Sequence, residues 1–382
     1  MSLKIDATRG KPNAEQVALC NEMLNTPLEN YIAEDGTDVR NYGGNDGLPE
    51  MKRIFAELLD VNANEVIVGG NSSLNIMFDF IANMIYCGHW NPSRAKFICP
   101  APGYDRHFSV CEYFGIKMLT VPMTPTGPDM NAVEELARDP EVVGIWCVPV
   151  FSNPQGYVYS DETVRRLAAM PAAHPHFKIM WDNAYPVHNF IGERPALLNI
   201  LQECRKHDYE DRPVMFTSFS KISVAGAGIV CLAAAGETLA TIRKRISMQT
   251  IGPDKINQLR HARFFKNADS VIAHMKKHAE ILRPKFECVF ESFEKNFAGT
   301  GATFSKPNGG YFVSVETPPG CAKRVRELCK NAGVLITKAG ATFPYSNDPT
   351  DTNLRFAPTF LSMDELKQAL EVFCQAIKTA AT

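Results

Sequence analysis

The chain lacks the features that would tie it to a surface or to nucleic acid. No uninterrupted apolar run among its 382 residues approaches the ~20 needed to cross a bilayer. Its opening, Met1-Ser-Leu-Lys-Ile-Asp6, has no signal-peptide core. Forty basic and 42 acidic residues leave a formal net charge of −2, which excludes a large electrostatic footprint for nucleic acid or an anionic membrane. No Cys-x-x-Cys pair occurs among the eleven cysteines. Cys87, Cys99 and Cys111 recur every twelve residues but lie in separate predicted elements without matching histidines, so they read as reduced core thiols. His174 and His176 flank Pro175 in a loop, while His274 and His278 lie among Lys276 and Lys277 on what reads as a solvated helix face. No metal site is expected. Low-complexity segments, repeats and a disordered linker are also missing, and a cytoplasmic location follows by default.

What is present is an ordinary globular composition, 45% apolar and 21% charged. The length exceeds a usual single domain, so one large domain plus a smaller one is expected. Short apolar or β-branched runs, 65–68, 96–99, 117–121, 142–150, 178–181, 214–218 and 229–234, alternate with helical patterns such as 74–85, 129–137 and 161–170. That alternation predicts an α/β domain with a mostly parallel seven-stranded sheet between helices, and active sites in such folds gather at the carboxyl ends of strands. From about Gly236 the texture changes to a charged helical stretch over 237–266, resuming after Asn267 to about Asn296. An apolar alternation over 311–315, a helix (322–331), a strand (334–337) and a final helix (363–380) follow. These define a smaller α+β domain, residues 1–44 and 251–382, joined by a long helix to a large domain over 45–250.

Five places at predicted strand ends carry chemistry. Lys221 closes the run Val214-Met-Phe-Thr-Ser218-Phe-Ser-Lys221, followed by small residues to Gly228. A lysine against a buried strand end is costly without a partner or a covalent role, and an amine there suits Schiff-base chemistry with an aldehyde cofactor. The alternative is a solvated loop lysine. Gly69-Gly-Asn-Ser72-Ser73 opens an apolar helix, a place for phosphate through free N–H groups and the helix dipole, or an ordinary N-cap turn. Tyr104, on the Pro100-Ala-Pro-Gly turn, can stack on a flat ring or plug the loop. Asn153, before Pro154, can donate to a ring oxygen or simply belong to a β-turn. Asp182 ends the strand Ile179-Met-Trp; a buried carboxylate there calls for a cation such as a protonated heteroaromatic nitrogen, or else caps a helix. Tyr185, three residues on, can reach the same ligand.

The order Gly-Asn-Ser-Ser, Tyr104, Asn153-Pro-x-Gly, Asp182-x-x-Tyr185, Ser218-x-Ser-Lys221 resembles the pyridoxal-phosphate-dependent aminotransferases of fold type I. Tyr42-Gly-Gly-Asn-Asp-Gly47-Leu and Leu354-Arg355-Phe356 extend the likeness through the whole chain. Thr8-Arg-Gly-Lys-Pro and Ala339-Gly-Ala-Thr-Phe-Pro look similar to a divergent subgroup of aspartate aminotransferases.

The resemblance implies that Lys221 holds pyridoxal 5'-phosphate as a Schiff base and afterwards shuttles a proton. It implies that Asp182 pairs with the ring nitrogen, Asn153 and Tyr185 bond the ring oxygen, and Tyr104 stacks on the ring. Ser72, Ser73 and Ser218 would bind phosphate, with Tyr42 arriving from the second subunit of a homodimer. Arg355 would clamp the substrate α-carboxylate, helped by backbone near Gly10. The substrates implied are aspartate and 2-oxoglutarate, with Arg9, Lys11 or a neighbouring subunit's arginine as candidates for the distal carboxylate. Where the family has a phosphate arginine, eight residues after the lysine, this chain has Ile229; Arg243, Arg245 and Arg260 are the candidate replacements. Family members often begin with an extra helix, so this chain either lacks it or has been trimmed. Two other functions compete. A carbon–sulfur lyase or an aminotransferase of other specificity would share the lysine, aspartate and arginine. A non-catalytic effector-sensing module would need a DNA-binding domain, for which no basic helix-turn-helix pattern exists.

Overall fold

The computed structural model describes residues 4–382. In chain order, β1 (Ile5–Ala7) precedes the strands of the main sheet: β2 (Val66–Val68), β3 (Lys96–Ala101), β4 (Lys117–Thr124), β5 (Gly127–Pro128), β6 (Val142–Cys147), β7 (Lys178–Asp182), β8 (Pro213–Ser218) and β9 (Val230–Ala233). Their spatial order is β2-β9-β8-β7-β6-β3-β4-β5. The pairs linking β8, β7, β6, β3 and β4 are parallel, and β9 runs antiparallel between β8 and β2. All seven expected strands exist. The eighth, β5, is a two-residue hairpin return on β4, too short to leave a pattern in the sequence.

Period-2 alternation splits each strand between two cores. Ile179 and Trp181 face one layer with Val66, Val68, Ile145 and Met215; Met180 faces the other with Ile67, Phe97, Phe216 and Leu232. Each fully buried side chain of this size stabilises the fold by about 1.5–3 kcal/mol, so the sheet is a rigid floor for what stands on its edge.

The remaining strands are β10 (Thr303–Phe304), β11 (Val313–Glu316), β12 (Val334–Ile336) and β13 (Asn353–Phe356). β1 lies parallel to β12, while β10, β11 and β13 form an antiparallel sheet. A third core packs behind them, built on Phe286, Phe293, Val313, Phe356 and Phe373. The 30-residue helix Ala268–Phe297 passes between cores: Val271 and Met275 belong to the main-sheet core, Leu282 through Phe297 to the smaller one.

Three expectations are corrected. The helical stretch 237–266 is two helices, Gly236–Gln249 and Lys255–Phe265, because Gly252-Pro253 interrupts it and Pro removes a backbone donor. His274 and His278 are buried: at i,i+4 they stand on one face with Val271, Met275 and Leu282, while Lys276 and Lys277 are turned away. Cys87 is exposed at the end of the helix Ser73–Tyr86; Cys99 and Cys111 are core thiols as expected.

Candidate active site

The carboxyl ends of β2, β3, β6, β7 and β8 share one edge of the sheet, and the singled-out residues follow them. Asp182 is the last residue of β7, opposite Phe216 of the parallel β8, and no helix starts after it, so it caps nothing. It is almost fully buried. Its Oδ2 lies 2.9 Å from His107 Nε2, and its Oδ1 has no hydrogen-bond partner. A buried carboxylate oxygen without a donor carries a desolvation penalty of about 1–3 kcal/mol or more. Asp182 therefore awaits a donor on that oxygen.

His107 is held in turn. Its ring stacks on Trp146 at 4.1 Å and 5°, and Tyr104 meets it edge-on at 5.0 Å. The sequence reading missed His107. The signal was the Tyr104-x-x-His107 spacing at a helix start, which puts two aromatic rings on one face.

Lys221 lies one short 3₁₀ turn beyond β8, in Phe219–Lys221. Its Nζ is 5.0 Å from the centroid of the Tyr185 ring and 6.0 Å from that of Tyr311. Burial pushes its pKa down from 10.5, and the Asp182 charge opposes that shift. The residue keeps some accessible surface although the amine is enclosed by aromatic rings. Tyr185 is buried, and its hydroxyl pKa is held well above 10 by burial. Beneath the lysine, Tyr311 Oη bonds the Lys221 carbonyl at 3.4 Å and accepts from Gln16 Nε2 at 3.0 Å. Gln16 continues to His278 at 3.0 Å, His278 to His274 at 3.1 Å, and His274 Nε2 lies 3.0 Å from the Ile222 carbonyl. The backbone carrying the lysine thus rests on a buried polar chain drawn from two distant helices.

Ser72 is the N-cap of the helix Ser73–Tyr86, yet its hydroxyl makes no capping bond. Ser218 donates to Ser220 at 3.2 Å, and Ser220 donates to the Asn71 carbonyl at 3.3 Å, which draws the two loops into one cup at a helix N-terminus. Gly228 packs tightly there: a Cβ on it would come within 3.1–3.2 Å of the Ser220 backbone and hydroxyl. Ile229 is buried in the main core, and its carbonyl accepts from Phe219 at 2.7 Å. The three arginines considered as replacements are engaged or placed elsewhere. Arg243 bonds Asp46 and the Asn64 carbonyl, Arg245 forks onto Asp79 at 2.9–3.0 Å, and Arg260 lines a cavity with Met23 and Thr26.

Arg355, on β13, is buried over the Phe312 ring at 4.7 Å. Its guanidinium donates to Asn153 Oδ1 at 3.2 Å, to Asp105 Oδ1 at 2.9 Å and to Thr337 Oγ1 at 3.4 Å. Asp105 is the second residue that the sequence did not point to. Gly10 packs so closely on Phe312 that a Cβ would lie 2.5 Å from its ring. Lys221, Asp182, Tyr185, Tyr104, Asn153, Arg355 and Gly10 are thereby linked through direct neighbours. Tyr42 stands apart at 80% exposure. Arg9 and Lys11 are exposed, and Lys11 lies over the Phe360 ring at 3.9 Å. Among the described residues no cluster of His, Cys, Asp or Glu has the makings of a metal site, and no helix is long and apolar enough to cross a membrane.

The arrangement gathers an amine of lowered pKa, a buried carboxylate with one unpaired oxygen and a hydroxyl-lined helix N-terminus at the carboxyl edge of the sheet, and the Arg355 guanidinium reaches the same edge through Asn153 and Asp105. Comparison with known proteins gives this chemistry a lineage. A 44% identical relative, aligned over all of this chain and 90% of its own length, is an aspartate aminotransferase of Corynebacterium glutamicum. The crystal structure of an aspartate transaminase from the same organism superposes with a TM-score of 0.96 at 44% identity, covering 99% of this chain and 92% of that one. The α-aminoadipate aminotransferase LysN of Thermus thermophilus shares the fold at a TM-score of 0.80 and 20% identity, over 99% and 92% of the two chains. The aspartate amino-transferase family model matches residues 1–382 in full, and the chain belongs to that family.

Proposed function

We propose that this aminotransferase uses pyridoxal 5'-phosphate to move the amino group of aspartate to 2-oxoglutarate, working as a cytoplasmic homodimer. The single observation that carries the reading is the unpaired, buried Oδ1 of Asp182, whose charge acts on the buried Lys221 amine. A protonated pyridine nitrogen is a donor and a cation at once, and it satisfies that oxygen. At the other end, the unengaged Ser72 hydroxyl, Ser73, Ser218 and the N-terminus of a 14-residue helix suit a phosphate dianion even without an arginine at position 229.

When bound, pyridoxal phosphate supplies an aldehyde that condenses with amines and a cationic ring that accepts electron density from the substrate Cα. Asp182, oriented by His107, would hold the ring nitrogen in its protonated form. Tyr104 would lie against the ring, and Asn153 and Tyr185 would bond its oxygen. Lys221 would carry the cofactor, and its amine, lowered in pKa by burial, would serve as the base and acid at the substrate Cα. Arg355, backed by Asn153 and by backbone near Gly10, orients the α-carboxylate. Aspartate as substrate is supported by the name of the 44% identical relative.

Dimerisation is supported by a band of exposed apolar side chains: Tyr42 (80%), Met248 (83%) and Ile251 (66%), beside a helix whose Leu74, Ile76 and Phe78 are only partly covered. The Tyr42 loop is fastened by Gly43 N to the Ile251 carbonyl at 2.8 Å and by Lys255 Nζ to the Gly43 carbonyl at 2.7 Å. It is thus presented stiffly outward, as a residue reaching into a partner's site must be. Eleven free cysteines suit a reducing compartment. The division into residues 45–250 and 1–44 plus 251–382 is proposed with the two parts meeting in the long helix: Cys20, Met23, Ala262, Phe265, Val271 and Met275 pack in the main-sheet core, and Leu282 through Phe297 in the smaller one.

The test is a half-reaction. Cofactor-loaded protein given L-aspartate and no oxo acid must release about one oxaloacetate per subunit and then stop until 2-oxoglutarate is added. With a β-thio amino acid such as L-cystathionine in place of aspartate, continuous release of pyruvate, ammonia and the thiol would instead make it a lyase, and binding without product would make it a sensor.

A further inference from the structure

The Arg355 fork is already occupied. A guanidinium has five N–H donors, two on each terminal nitrogen and one on Nε. Asp105 and Asn153 take both protons of one terminal nitrogen, and Nε points at Thr337. Only the other terminal nitrogen is uncommitted, whereas a bidentate grip on a carboxylate needs two nitrogens. Of the three partners, Asp105 is the one with the chemistry of a substrate carboxylate, and it is also the most mobile in principle. Its side chain is 32% exposed against 8% for Arg355. It is the first residue of the helix Asp105–Tyr113, directly after Tyr104, so a rotated carboxylate would remain at a helix N-terminus, where a negative charge is stabilised. Asn153 and Thr337 are buried and fixed by neighbouring strands and turns.

We propose that Asp105 is an internal competitor for the substrate: it occupies the Arg355 fork between turnovers, shields the buried cation from small anions, and is displaced when the α-carboxylate binds. Asp105 is on this view a positioning residue that acts through Arg355. The proposal rests on the reading of Arg355 as the carboxylate clamp. Displacement is a swap of one carboxylate for another, so no net charge enters the pocket at that point. The enzyme gives up affinity and gains release.

The experiment is calorimetric titration of the cofactor-loaded enzyme with maleate, a dicarboxylate that has no amine to react. In Asp105→Asn, which keeps size and hydrogen-bonding capacity but not charge, the Kd for maleate should fall roughly tenfold, as when one charge-assisted hydrogen bond no longer has to be broken. Added chloride should compete more strongly than in the wild type, because the uncovered guanidinium now takes small anions. Asp105→Ser, which keeps a helix-starting side chain, should behave the same way and guards against a folding defect in the first variant. An unchanged Kd in both variants overturns the proposal, as does a raised Kd, which would make Asp105 a permanent buttress. A separate control isolates the underlying reading. If Arg355→Lys binds maleate as tightly as the wild type, the clamp itself is wrong; if only Arg355→Lys loses binding and neither Asp105 variant gains it, the clamp stands and the competitor does not.

Discussion

Acid should destabilise this protein in part through His278, and its burial sets the sign and the scale of the effect. His278 is fully buried between Gln16 and His274, and burial, reinforced by the neighbouring His274, pushes its pKa down to about 3. On the same chain of contacts, Cys20, pushed up to about 11 by burial, and Tyr311, also raised, gain no charge in the acid range; His274 does, but burial holds its pKa down as well, so neither histidine readily takes the proton. The unfolded chain takes up that proton at the ordinary value of 6.5. Between these two values the unfolded state binds more protons than the native one, so stability falls as pH falls, beginning at 6.5 and levelling below about 3. At 1.36 kcal/mol per unit, the loss is about 2 kcal/mol at pH 5 and at most about 5 kcal/mol. His278→Gln places a polar amide among the same Gln16 and His274 neighbours, but it cannot titrate. Urea denaturation of wild type and variant at about pH 7.5 and about pH 5 gives a double difference that isolates His278 together with its coupling to His274; the variant should lose about 2 kcal/mol less on acidification. Equal acid sensitivity in both proteins would show that His278 is not held neutral by burial, and the reasoning would fail. Because Tyr311 and His274 bond the backbone at Lys221 and Ile222, activity should decline along the same curve.

Lys221→Ala should abolish covalent retention of the cofactor after borohydride reduction, read by mass spectrometry; a modified peptide from another lysine would refute the assignment. Asp182→Ala should leave the cofactor bound but slow amino-group transfer by at least about a thousandfold in single-turnover kinetics, and near-normal turnover would remove Asp182 from the mechanism.

The sheet and the strand-end residues were legible because each is a local signal. Seven apolar runs announce seven strands, and Asp182 and Lys221 are polar groups abutting such runs. The features that escaped are relations between distant residues. Asp105 lies next to Tyr104 in sequence, yet its meaning comes from Arg355, 250 residues away. His107 gains its role from Asp182, 75 residues on. His274 and His278 were misread because Lys276 and Lys277 dominate a linear view, whereas helical periodicity separates the two pairs. The break at Gly252-Pro253 was visible in composition and was overridden by the charged helical texture around it.

The two ends of the site are electrostatic opposites, and this contrast follows from how long each ligand stays. At the Asp182 end the fold leaves a buried carboxylate oxygen without a donor. On the proposed reading, a ring nitrogen there would remove that deficit, which favours a group that remains through every turnover. At the Arg355 end the fold supplies its own counter-ion in Asp105. An arriving carboxylate gains only the difference between itself and Asp105, which favours a group that must leave as readily as it came. An unpaired charge holds a resident, and a pre-paired charge admits a visitor. On the proposed reading, the same protein interior, with the same cost for an isolated buried ion, would bind a cofactor firmly and a substrate loosely by leaving one of two charges unpaired.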